Sequence, residues 1–71
     1  MTRAALAIDL GGTDLRAAVV EATGRVAAFA STPTDAQGGP DAVIAQMVAL
    51  IGQVRAETPE VDIVGLGVGA P

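Results

Sequence analysis

Apolar and polar positions divide the chain into four short apolar stretches and one long periodic one. Ala4 to Ile8 is apolar at every position and stops at Asp9. A short uniform run of this kind reads as a strand buried on both faces. Leu10-Gly11-Gly12-Thr13-Asp14 then breaks the pattern, and Gly-Gly is a strong turn signal. From Leu15 to Glu21 the pattern alternates, with Leu15, Ala17 and Val19 on one face and Arg16, Ala18 and Val20 on the other. That period of two predicts a second strand. Ala22-Thr23-Gly24 is short enough to return a third strand antiparallel beside the second. The third strand is expected over about Arg25 to Ala30. The odd spacing of Val26 and Phe29 leaves its faces unassigned.

Ser31 to Pro40 carries Pro33, Gly38, Gly39 and Pro40 and reads as a loop. It ends on a helix-start signal, because Pro40 suits the first helical position and Asp41 suits the positive end of the helix. Between Asp41 and about Glu57, Val43, Met47, Leu50 and Val54 recur at helical spacing. Ile44, Val48 and Ile51 widen that stripe to the breadth expected against a sheet. Gln46, Gln53 and Glu57 fall on the wetter side. Gly52 either permits close packing or marks fraying. Thr58-Pro59 stops the helix, since a residue before proline avoids the helical region. Val61 to Gly65 predicts a further strand. Gly65-Leu66-Gly67-Val68-Gly69-Ala70-Pro71 follows as a glycine-rich turn, of the kind that brings backbone close to something.

The expected order is therefore β-β-β-α-β: an α/β unit with a mixed sheet. Its fourth strand returns parallel to an earlier one by a right-handed crossover. A single helix covers one face of a sheet, and the first and fourth strands ask for cover on both. The chain has only 71 residues, and a unit of about 60 residues buries only about 60% of its unfolded surface. The expectation is a piece of something larger.

Composition narrows the chemistry. The chain has no Cys and no His, which excludes disulfides, thiolate or imidazole zinc sites, a Cys nucleophile and a Ser-His-Asp triad. Its net charge is −4, the wrong sign for an electrostatic footprint on nucleic acid. The apolar runs are far shorter than the ~20 residues of a membrane span, and the N-terminal one is too short for a secretory leader. No nucleic-acid or membrane partner is expected, and a cytoplasmic location is the default. A metal here must be a hard cation held by carboxylate, water or ligand phosphate.

Asp9-Leu10-Gly11-Gly12-Thr13 is the most informative stretch. A carboxylate at the end of a strand can orient Mg²⁺ and its waters. Two glycines let backbone N–H groups approach phosphate oxygens, and the Thr13 hydroxyl can add a hydrogen bond. The same residues also suit a plain hairpin turn whose Asp caps backbone N–H groups. The stretch is not a Walker A loop, because Gly-Lys-Ser/Thr is absent. Gly65-Leu66-Gly67-Val68-Gly69-Ala70 satisfies a loose dinucleotide pattern, but Gly69 and Pro71 argue for a turn where that fingerprint needs a helix. Arg3, Arg16, Arg25 and Arg55 read as surface groups or local salt links. Met47 and Phe29 read as packing residues.

Ala7-Ile8-Asp9-Leu10-Gly11-Gly12-Thr13, followed by Leu15 to Val20, resembles the first phosphate motif of the ribonuclease H-like actin/hexokinase-type ATPase fold. Within that fold it is most similar to the bacterial glucokinase-like sugar kinases of the ROK family. Thr32-Pro33-Thr34, Gly39-Pro40-Asp41-Ala42-Val43 and the segment from Gly65 to Pro71 resemble later parts of that family in the right order. The resemblance implies that residues 1–71 form the N-terminal part of a sugar kinase that transfers the ATP γ-phosphate to a hexose hydroxyl. It implies Mg²⁺-ATP as cofactor, with Asp9 near the metal, through water, and Gly11, Gly12 and Thr13 as the first phosphate loop. The Gly65 to Pro71 segment would line the cleft on the sugar side. The general base, the adenosine pocket and a zinc site of the intact parent would lie outside this chain, so no catalytic base is named and the 71 residues alone are expected to be inactive. A homodimer is implied by resemblance.

One residue departs from the family's pattern: Asp14 stands where Lys, Asn or Thr is common, and it is expected to point away from phosphate or to pair with Arg16. Two alternatives carry different consequences. A sugar-responsive ROK repressor needs a winged helix-turn-helix before the motif, and Asp9 is too near Met1 for one if Met1 is the start. A non-catalytic structural or interaction domain would instead melt cooperatively by itself with little exposed apolar surface.

Overall fold

The computed structural model describes Thr2–Gly69. Five elements follow one another: β1 (Thr2–Leu10), β2 (Asp14–Glu21), β3 (Val26–Pro33), α1 (Gly39–Ala56) and β4 (Val61–Gly69). The order is the expected β-β-β-α-β. The four strands form one mixed sheet in the order β3-β2-β1-β4. β1 and β2 pair antiparallel, as do β2 and β3, whereas β4 lies parallel to β1.

Local chemistry accounts for the joins. In the β2–β3 turn the Gly24 N–H donates to the Glu21 carbonyl (2.8 Å) and the Glu21 N–H to the Arg25 carbonyl (2.8 Å). Gly24 has φ +93°, a left-handed conformation that costs glycine nothing. An ion pair between Arg25 and Glu21 at 2.8 Å spans the turn. Just beyond it, the register shifts between Val19 and Val20, which face Ala28 and Val26. This bulge explains why Val26 and Phe29 do not alternate cleanly. β3 runs on through Thr32 and Pro33, three residues beyond the expected end. Pro33 is tolerated there because it terminates an edge strand. At the helix end, the Thr58 hydroxyl donates to the Val54 carbonyl (3.0 Å) and Arg55 sits in the last turn.

The core lies between α1 and one face of the sheet. Ala4, Leu6, Ile8, Leu15, Ala17, Val19, Ala28, Ala30, Leu50 and Val54 are buried. α1 packs on β2 and β3. That placement leaves β1 and β4 without the second cover they ask for, and it corrects the expectations for Ile44, Val48 and Phe29. β1 is not buried on both faces, since its exposure alternates. β4 is largely exposed: Leu66 and Val68 pair in register with the buried Leu6 and Ile8, yet they are 65% and 57% accessible because α1 lies elsewhere. Ile44 and Val48 do not widen the buried stripe and are 52% and 62% accessible. Phe29, expected to pack, is also exposed, on the sheet face opposite α1. Gly52 has open space around it, so close packing does not explain it.

The glycine-rich segment is strand rather than turn. β4 continues to Gly69, and Gly65, Gly67 and Gly69 lie in register with Ala5, Ala7 and Asp9. Pairing uses backbone groups only, so alternating glycines do not prevent it. The expected Ala-Pro turn at residues 70–71 lies outside the described residues. No helix among the described residues is long and apolar enough to cross a membrane.

Candidate phosphate-binding loop

The parallel neighbours β1 and β4 end side by side, and the β1–β2 loop opens at that same end. In open α/β sheets, ligands bind beyond the carboxyl ends of parallel strands. The residues singled out in the sequence gather there. Asp9 lies opposite Gly69 on β4 and opposite Arg16 on β2. Its carboxylate points to the face away from α1, because strand alternation sends Ile8 and Leu10 to the helix side. A Cβ placed on Gly69 would lie 3.9 Å from the Asp9 Oδ1, so Gly69 borders the carboxylate.

Gly11, Gly12 and Thr13 form a tight hairpin loop. The Gly11 N–H donates to the Asp14 carbonyl at 3.0 Å. A Cβ on Gly11 would stand 2.6 Å from that same carbonyl oxygen, so only glycine fits without the backbone moving. Gly12 differs: a Cβ there meets nothing within 4 Å. Gly12 and Thr13 are both exposed, and among the described residues their N–H groups donate to no backbone carbonyl. The loop therefore offers two adjacent free donors at the end of a strand. This is the donor chemistry that phosphate oxygens require.

Of the two placements expected for Asp14, the pairing with Arg16 is not found. Arg16 pairs with Asp9, not Asp14, at a distance of 3.7 Å between Nη1 and Oδ2. The register places Asp9 directly across from Arg16, and cross-strand neighbours outcompete a residue two positions along the same strand. Both side chains are more than half exposed, so the pair adds little stability and leaves the carboxylate accessible. No group of three acidic, His or Cys side chains among the described residues is arranged to hold a metal by itself. Mg²⁺ fits this site only with ligand phosphates and water completing its shell, in keeping with its reluctance to shed water.

Sequence reasoning missed Thr34 and Gln46. The Thr34 hydroxyl donates to the Gly11 carbonyl and the Thr34 N–H to the Thr13 carbonyl, both at 2.8 Å. Gln46, expected on the wet side of α1, is half-buried. Its Nε2 donates to the Pro33 carbonyl and its Oε1 accepts from the Asp35 N–H, both at 2.8 Å. The helix thus grips the residues on both sides of Thr34. The only advance signal was the Thr32-Pro33-Thr34 likeness. A separate cleft of about 790 Å³ at the other end of the sheet is lined by Glu21, Arg25, Glu57 and Glu60 among others. It shares no residue with the loop.

No family model matches the chain. Over 63 residues, 89% of its length, the chain is 40% identical to the N-acetylmannosamine kinases of Salmonella newport and Salmonella paratyphi A. The chain spans about a fifth of those relatives' length (22%). Among solved structures, a ROK family glucokinase from Streptomyces griseus, in complex with glucose and AMPPNP, superimposes with a TM-score of 0.78 at 22% identity. The match covers 94% of this chain and 20% of that one. A candidate N-acetylmannosamine kinase from Listeria monocytogenes gives a TM-score of 0.59 at 30% identity, covering all of this chain and 21% of its own. The fold is that of the actin/hexokinase-type ATPases in part, and over 63 residues the chain is homologous to N-acetylmannosamine kinases.

Proposed function

We propose that residues 1–71 are the N-terminal part of the nucleotide-binding domain of an ATP-dependent hexose kinase, and that Asp9, Gly11, Gly12 and Thr13 form its first phosphate loop. The observation that carries this reading is that Gly12 and Thr13 are exposed residues whose N–H groups, among the described residues, meet no backbone acceptor, beside the accessible Asp9 side chain. The homology over 63 residues supports it. Phosphoryl transfer asks a protein mainly for positioning and charge neutralisation. Gly12 and Thr13 supply donors, the Thr13 hydroxyl would add a third, and Asp9 would hold the cation through its water shell. Mg²⁺, when bound, neutralises charge on the transferring phosphate. Nothing in this chain is assigned as the general base.

N-acetylmannosamine is the first sugar to test, since the 40% identical relatives are N-acetylmannosamine kinases, and glucose is the second. The proposal includes a homodimer in the cytoplasm, with no nucleic-acid or membrane partner. The test is a coupled assay of the full-length protein with Mg²⁺, ATP and each sugar. Sugar-dependent ADP release that stops when Mg²⁺ is chelated is the expected outcome. ATP turnover indifferent to every hexose would point to an ATPase with another acceptor. No nucleotide use at all would remove the kinase reading.

A further inference from the structure

Thr34 stands 23 positions from the loop it touches, and it touches that loop twice. Its hydroxyl donates to the Gly11 carbonyl and its amide donates to the Thr13 carbonyl. These two carbonyls bracket the N–H groups of Gly12 and Thr13. The described peptide units are all trans, and in a planar trans unit the C=O and N–H point in opposite directions. Drawing the Gly11 carbonyl toward Thr34 therefore turns the Gly12 N–H the other way, outward from β3. A flexible Gly-Gly segment would otherwise sample many orientations.

We propose that Thr34 is the positioning residue of the phosphate loop, fixing the peptide plane that presents the Gly12 N–H, and that Gln46 of α1 holds Thr34 in place from both sides. This inference rests on the nucleotide reading of the loop. The Gln46 side chain fastens the Pro33 carbonyl and the Asp35 N–H, so Thr34 is the middle residue of a segment pinned at both ends. α1, β3 and the β1–β2 loop are thereby joined by four side-chain or backbone hydrogen bonds of 2.8 Å. The device sets donor direction and supplies no group to the ligand itself. Its loss therefore weakens use of ATP selectively.

The test compares the full-length protein with its Thr34→Val, Thr34→Ser and Gln46→Leu variants. Steady-state kinetics are measured against Mg²⁺-ATP and against the sugar, with amide exchange at Gly11 followed alongside. Thr34→Val keeps the shape and loses the donor. It is expected to raise the KM for ATP about fivefold, the factor of one net hydrogen bond, to leave the KM for sugar unchanged, and to speed exchange of the Gly11 N–H. Thr34→Ser restores all three, and Gln46→Leu shifts the ATP KM in the same direction by less. A merely structural role would lower the active fraction, and so the apparent kcat, with both KM values intact. That result, or a folded Thr34→Val with a wild-type ATP KM, overturns the positioning role while the kinase reading stands. A wild-type protein that takes no Mg²⁺-ATP overturns both together. Should Thr34→Val fail to fold, Gln46→Leu and the Ser variant decide by the same readouts.

Discussion

Asp9→Ala is expected to lower Mg²⁺-dependent phosphoryl transfer by the full-length protein about 100-fold or more, the scale of removing one preorganised electrostatic group from an active site. Asp9 lies one residue before the end of β1, next to Gly69 and the Gly11–Thr13 loop, and its side chain is 59% exposed. It has no burial role to lose. Its only ionic partner among the described residues is Arg16, across 3.7 Å and more than half exposed, a contact worth well under ~1 kcal/mol. A large loss of rate therefore cannot come from unfolding, and the melting temperature should stay close to wild type. Initial rates at varied Mg²⁺, with ATP and sugar saturating, make the measurement. Near-normal turnover would take Asp9 out of the site.

The second large effect separates two adjacent glycines. Gly11→Ala places a methyl group 2.6 Å from the Asp14 carbonyl oxygen. Backbone cannot yield cheaply there, because the same carbonyl accepts the Gly11 N–H that closes the hairpin. A loss of about 1–3 kcal/mol in stability is expected, as for other overpacked sites, and nucleotide affinity falls with it. Gly12→Ala meets no atom within 4 Å, and Gly12 has no positive φ that would strain alanine. Its stability should change by no more than about 0.5 kcal/mol. The added methyl group instead takes up open space in the loop proposed to seat phosphate, so ATP affinity is expected to fall while folding does not. Denaturant unfolding and calorimetric ATP titration of the two variants measure the contrast. Equal stability losses at both positions, or an ATP affinity untouched by Gly12→Ala, would reduce the loop to an ordinary hairpin turn.

Features set by near neighbours were legible in the sequence. Gly11-Gly12 and Thr23-Gly24 marked the two hairpin turns, Leu15 to Glu21 alternated as a strand, and the spacing of Val43, Met47, Leu50 and Val54 gave α1. Asp9, Gly11, Gly12 and Thr13 stood out because carboxylate and glycine chemistry at a strand end is local. Features set by register and docking were not legible. Arg16 faces Asp9 rather than Asp14 because of the β1–β2 register, which no local spacing reveals. The Gly65–Gly69 segment looked like a turn because its pairing with β1 is carried by backbone alone. Ile44 and Val48 fell outside the core because α1 sits over β2 and β3. Thr34 and Gln46 were invisible for the same reason, since their bonds close loops over 23 and 13 residues.

The chain's exposed apolar side chains fit the expectation of further structure around it. Val26, Phe29, Val64, Leu66 and Val68 are each more than half accessible, spread over β3 and β4, the two edge strands of the sheet. The relatives at 40% identity are several times longer than the matched segment, in keeping with the proposal that this sheet belongs to a larger kinase.

A titration of the full-length protein with Mg²⁺-ATP, followed by the backbone amide resonances of Gly12 and Thr13, tests the phosphate seat most directly. Saturating shifts at these two amides, abolished when ATP is replaced by adenosine, are the predicted result. Unchanged Gly12 and Thr13 resonances in a protein that binds ATP elsewhere would contradict it.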